Sequence, residues 1–199
     1  MPVTVKHPAF PTIDLASAEK EIVAALDSAF SEVGFCICNN AYSDPEIRED
    51  AFAASRAFHK LPETVKASYA INSAHRGYIS PKSSTSRTSS VTKVQRPNTS
   101  ESFMLMHEVL ENDPRLGKPL QGPNQWPQEV PGFQDKMTAY WQDVNCTARK
   151  LAKLCLKALG IEIGLYEAWF RQPTEFLRLL HYWPEVPEEP QDSFGSEPH

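Results

Sequence analysis

Paired cysteine spacings, clustered basic charge, long apolar runs and histidines set at ligand spacing are all missing from this 199-residue chain. The four cysteines, Cys36, Cys38, Cys146 and Cys155, match no zinc or redox spacing, so reduced thiols packed in apolar surroundings are the expected state. Cys36 and Cys38 form a C-x-C that a strand would point to one face. Lys and Arg number 20 against 25 Asp and Glu, and the basic residues are scattered, which argues against a nucleic-acid partner. The densest polar stretch, Glu185–Glu197, is acidic and would repel phosphates and anionic lipid. No stretch approaches membrane-spanning length, and the opening MPVTVKHPAFPTIDL holds no signal-length apolar run. A soluble, cytoplasmic protein with no membrane and no nucleic-acid partner is the expectation. No internal repeat is visible.

What is there suffices for one ordinary core or two small ones, with 41% hydrophobic and 10% aromatic residues. AFPTIDL (9–15) reads as an extended entry segment. Ser17 then caps a helix over about 18–32 that buries Ile22, Leu26, Ala29, Phe30 and Val33. Gly34 stops it, and FCIC (35–38) follows as a strand whose lack of polar alternation predicts cover on both faces. Asp44, Pro45, Glu46 and Glu49 are strong start signals for a second helix, with Ile47, Ala51, Phe52, Ser55 and Phe58 as its inner stripe. Leu61-Pro62 breaks that pattern and restarts a short helix. Residues 80–100 are a Ser/Thr-rich loop, and 112–132 are a Pro/Gly-rich connection holding Trp126. The longest periodic segment is 131–159, opened by Pro131 and closed by Gly160. A shorter helix near 164–171 leads to the strand FLRLLHYW (176–183), with Leu177, Leu179 and His181 on one face and Arg178, Leu180 and Tyr182 on the other.

The order of these pieces resembles the isopenicillin N synthase-like family of iron(II)- and 2-oxoglutarate-dependent dioxygenases. FPTIDL, a helix and FSEVGFCICNN resemble its opening, although Asn39-Asn40-Ala41 stands where the family has Asn-His-Gly. FHKLPETVK (58–66), Arg76-Gly77-Tyr78, Glu101-Ser102-Phe103 and LRLLHYWP (177–184) match further family segments in order. GSEPH (195–199) is similar to the lead into the family's His-x-Asp metal motif.

The resemblance implies an α+β chain: an N-terminal helical layer and the first strands of a double-stranded β-helix (jelly-roll), with the barrel incomplete. Its segments are an N-terminal region over 1–130, a long and a short helix over 131–175, and an entry strand and loop over 176–199. It implies Fe(II), 2-oxoglutarate and O2, with His199 as the first of three metal ligands and the carboxylate, second histidine and co-substrate arginine further along. Two imidazoles and a carboxylate on one face suit ferrous iron and leave positions open for a co-substrate and oxygen. Tyr182 matches a tyrosine that can bond the co-substrate, or else a wall residue. Arg76, Tyr78 and Phe103 match positions near the substrate mouth, or else cap and pack a turn. The residues themselves offer no second set of ligands: His7, His59, His75, His107 and His181 form no H-x-D or H-x-x-E motif and no i,i+4 pair of histidines.

The function implied is hydroxylation, desaturation or cyclisation of a small molecule, in secondary metabolism. Two alternatives stand beside it: a truncated, non-catalytic chain serving as an interaction module or having no activity, and a family oxidase that does not use 2-oxoglutarate. Loop 83–90, between the substrate-mouth matches, is a candidate lid. The apolar strand 176–183 without a barrel predicts that the isolated chain needs its missing half or aggregates.

Overall fold

The structure is a computed structural model that describes residues 10–41, 44–83 and 98–183. His199 with the rest of GSEPH, and the candidate lid beyond Ser83, lie outside the described residues. No helix among the described residues is long and apolar enough to cross a membrane.

The chain forms two compact units, and each draws on separate stretches of sequence. The first takes residues up to Glu49 together with Thr138–Pro173, and the second takes Asp50–Met137 and the segment from Thr174 on. Boundaries fall inside helices because each unit's core is completed by residues remote in sequence.

In the first unit β1 (Thr12–Asp14) pairs in parallel with β2 (Ile37–Asn39) through α1 (Glu19–Glu32). Ile13, Leu15, Ile22, Leu26 and Ala29 form its core with Leu154 of α4 (Phe133–Ala158). Cys36, Cys38, Leu151 and Cys155 pack around it. The C-x-C thiols share one face, Sγ to Sγ 4.0 Å, and all four cysteines are free. Burial raises the Cys38 and Cys155 thiols, which keeps them protonated.

Several expectations for this region need correcting. Ser17 does not cap α1: the cap position is Ala18, with no side-chain bond. The reason is Asp14, whose carboxylate accepts from the Ala16 N–H (2.9 Å) and Asn40 Nδ2 (2.6 Å) while its carbonyl accepts from the Ser17 N–H. That turn carries the helix start past Ser17. Phe30 and Val33 are exposed, and so are Phe35 and Ile37 at 70% and 52%. A period of two sends Cys36 and Cys38 to the core and their neighbours outward, so β2 is covered on one face only.

α4 has 26 residues, about 39 Å at 1.5 Å per residue. In this unit Lys150 Nζ donates to the Leu15 carbonyl at 2.8 Å, and Thr147 donates to the Ala41 carbonyl at 2.5 Å. Gly160, at φ +67°, turns the chain so that the Ile161 N–H reaches the Leu156 carbonyl. α5 (Ile163–Trp169) follows.

The second unit holds most of α2 (Pro45–His59), then α3 (Glu63–Ser68) and an antiparallel sheet. Asp44 accepts from the Glu46 N–H at 2.9 Å, the cap its sequence predicts. Ala51, Ala54 and Phe58 are buried, but Phe52 is 53% exposed because it lies a hundred degrees round the helix from Ala51. The sheet order is β3 (Gly77–Ile79), β4 (Glu101–Met106), β5 (Phe176–His181). Tyr78 faces Phe103 and Phe103 faces Leu179, so β4 is central and all six of its residues are buried. Phe58, Phe103 and Phe133 pack edge-on or tilted against one another with ring centres 4.6–6.1 Å apart, and the Trp126 ring meets Phe133 edge-on. β5 alternates as expected, with Leu179 inside and Phe176, Leu180 and Tyr182 exposed. Among the described residues no barrel closes.

Gly77 sits at φ +120°, and a Cβ there would lie 2.3 Å from both the Tyr69 carbonyl and Gln125 Nε2. Strained backbone and a clash with a fixed carbonyl act together. Gly77→Ala is expected to cost at least about 2 kcal/mol, read as a lower urea midpoint at unchanged slope.

Candidate functional site

The most polar interior of the second unit surrounds Glu101, the first residue of β4. Its side chain is wholly buried and accepts three hydrogen bonds. Lys66 Nζ of α3 donates at 2.6 Å to one oxygen, which also receives a short bond from the Tyr78 hydroxyl. His181 Nδ1 of β5 lies 2.8 Å from the other oxygen. Glu63 stands 3.2 Å from Lys66 and 3.3 Å from the Tyr78 hydroxyl. Burial would raise the Glu101 carboxyl, but the bonds from Lys66, Tyr78 and His181 outweigh it and hold the group below its ordinary value. Burial and then the adjoining Glu101 charge push Tyr78 upward, so it remains a neutral donor.

His59, the last residue of α2, adjoins this cluster with its ring centre 5.1 Å from that of His181. Its Nδ1 lies 2.8 Å from the Ser55 carbonyl and its Nε2 is buried without a partner. Burial lowers its affinity for a proton, opposed by the Ser55 carbonyl and Glu101 and reinforced by His181 and Lys66.

Three expected substrate-mouth residues are interior here. Arg76 is fully buried, and its guanidinium donates to the carbonyls of Ala74 (2.5 Å), Leu120 (2.9 Å) and His107 (2.8 Å). It ties the turn before β3 to the 107–120 segment, which is the structural alternative for this residue. Tyr78 is 3% exposed and bonded to Glu101, and Phe103 is enclosed by Phe58 and Phe133. All three therefore spend their chemistry inside this unit. Tyr182 is different: it is 47% exposed, just past β5. Arg178 is exposed and donates to Ser102 Oγ at 2.9 Å. Among the described residues no group of three or more His, Cys, Asp and Glu could hold a metal ion, so no described cluster fits iron.

Sequence reasoning did not anticipate the Glu101 cluster or the meeting of His59 with His181. A signal existed for the first: a glutamate opening the otherwise apolar ESFMLM cannot enter a buried strand unpaired. The second had none, because the two histidines are remote in sequence.

The comparisons agree with this architecture. Residues 10–129, more than half of the chain, match the family model described as non-haem dioxygenase in morphine synthesis, N-terminal. The chain belongs to this dioxygenase family, as its N-terminal part. It is 27% identical over 209 residues to the 2-oxoglutarate-dependent dioxygenase eupC of Phoma sp., covering 92% of this chain and 63% of that protein. It is 29% identical to azadirone synthase LFS of Melia azedarach, covering 94% and 57%. The dioxygenase chain thus spans less than two thirds of either relative. In fold it is similar to a 2OG-Fe(II) oxygenase family protein from Caulobacter crescentus, with TM-score 0.76 at 20% identity, over 92% of this chain and 59% of that one. Neurospora crassa T7H, solved with alpha-KG and thymine, superposes with TM-score 0.70 at 24% identity, over 90% and 57%.

Replacing Glu101 by Gln should cost about 3 kcal/mol, because it breaks a buried ion pair and leaves only the exposed Glu63 carboxylate beside the buried Lys66 ammonium. The pH dependence has a definite sign. Both Glu101 and His59 have folded values below their ordinary ones, so each contributes stability at higher pH that is lost on acidification. Chemical denaturation from pH 8 downward should show a first loss beginning below 6.5, where His59 ordinarily titrates, and a second below 4.5. His59→Phe should remove the first step and keep the second.

Proposed function

We propose that this chain is the N-terminal part of an Fe(II)- and 2-oxoglutarate-dependent oxygenase that oxidises a small organic molecule in secondary metabolism. The observation that carries the reading is the family match over 10–129 together with relatives named as 2-oxoglutarate-dependent dioxygenases. Those names also favour 2-oxoglutarate use over the oxidase alternative. Azadirone synthase among the relatives supports a biosynthetic role, with hydroxylation, desaturation and cyclisation all within the class.

The sheet β3–β4–β5 would begin the jelly-roll, with β5 as the entry strand. Iron with 2-oxoglutarate and oxygen supplies the oxidising power when bound. His199 is proposed as one iron ligand, and it lies outside the described residues. The described residues do the supporting work. Glu101 fixes β5 through His181, and the next residue, Tyr182, is offered on the opposite, exposed side of the strand. From there its hydroxyl could donate a hydrogen bond to the co-substrate carboxylate. The second core, built on Phe58, Phe103 and Phe133, gives the strand a rigid backing.

The test uses the whole protein that carries this chain. With Fe(II), the protein should release carbon dioxide from 1-labelled 2-oxoglutarate, uncoupled turnover included. Tyr182→Phe should raise the KM for 2-oxoglutarate about 2- to 10-fold, the value of one hydrogen bond, with Tm unchanged. Absence of any 2-oxoglutarate turnover would instead favour the non-catalytic reading.

A further inference from the structure

Neither His59 nor His181 serves as a ligand in the proposed oxidation, and their surroundings prepare both in the same way. The Ser55 carbonyl can only accept, so His59 must carry its proton on Nδ1 and keep a bare lone pair on Nε2. That Nε2 is buried without a hydrogen-bond partner in a side chain only 7% exposed. His181 likewise points Nδ1 at the Glu101 carboxylate, 2.8 Å away, an arrangement that in the neutral ring leaves the lone pair on Nε2. An imidazole whose Nδ1–H is anchored by a carbonyl or carboxylate is in the tautomer that metal binding at Nε2 requires.

The separation also fits. Two imidazoles bound tetrahedrally to one ion at about 2.0–2.1 Å would hold their ring centres roughly 5 Å apart. The observed distance is 5.1 Å. Charge permits it as well: Glu101 and Glu63 together outweigh Lys66, leaving one net negative charge beside the pair. His181, with 38% of its side chain exposed, gives an ion a way in.

We propose that His59 and His181 form a two-imidazole site for a borderline divalent transition-metal ion, zinc(II) or copper(II), with water completing the coordination. No third His, Cys, Asp or Glu joins them among the described residues, so the site is open rather than a closed structural cage. Imidazole nitrogen and the stability order of divalent ions favour copper and zinc over iron here.

The test is made at pH 7.5 on the whole protein that carries this chain, with its iron site filled. Trp183, whose ring centre lies 4.8 Å from that of His181, is a built-in reporter. Copper(II) should quench its fluorescence with one equivalent per chain, and zinc(II) should compete. His181→Gln keeps an amide donor for Glu101, so it should fold. Since losing an anchoring partner already weakens metal sites 10- to 100-fold, losing a ligand should weaken binding by at least about tenfold. His59→Gln should do the same. In the unaltered chain, zinc(II) should shift the 15N resonances of both Nε2 atoms, a readout that needs no variant. Unchanged affinity in a folded His181→Gln, binding traced to His7, His75, His107 or His199, or Nε2 resonances that respond to protons but not to zinc would each overturn the assignment.

Discussion

A single buried carboxylate holds the second unit together. Glu101 cannot stay charged inside a sheet unless every lone pair is answered, and the answers come from three elements at once: Lys66 of α3, Tyr78 of β3 and His181 of β5. The strand register follows from this. Glu101 stands opposite His181, and slipping β5 by one residue would replace the imidazole by Leu180 or Tyr182 and turn Leu179 outward. The polar cluster and the apolar alternation thus specify the same pairing.

Arg76 applies the same logic to backbone. Three carbonyls from separate stretches of irregular chain would be costly to bury alone, and one guanidinium satisfies them together. Asn124 and Gln125 act alike: Asn124 exchanges two bonds with the backbone of Met106, and Gln125 donates to the Arg76 carbonyl. The long connection after β4 is therefore fixed by side chains rather than by regular structure. This is why a stretch with no periodic signal can still be an integral part of the unit.

These arrangements leave β5 in a particular state. Its inner face is tied to β4 by Leu179 and His181, while Phe176, Leu180 and Tyr182 stand on the exposed side. Rigid attachment on one side and free side chains on the other are what an entry strand needs if a site is to be assembled on it. The match to the N-terminal family of non-haem dioxygenases and the chain's span of 57–63% of the two curated relatives accord with that reading.

Helix positions and the alternation of β5 were legible from residue order, because apolar period, Asp44-Pro45 and Gly160 act over neighbours on the chain. The ordered motifs likewise determined family membership. Tertiary structure alone decided which faces are covered: Phe30, Val33, Phe35 and Phe52 carry the right residue type but stay exposed. It also decided what the polar residues do. Arg76 and Tyr78 became interior ties, and His59 met His181, through contacts between elements far apart in sequence. Local sequence encodes period and capping, whereas the partner of a buried charge is known only once remote strands and helices have come together.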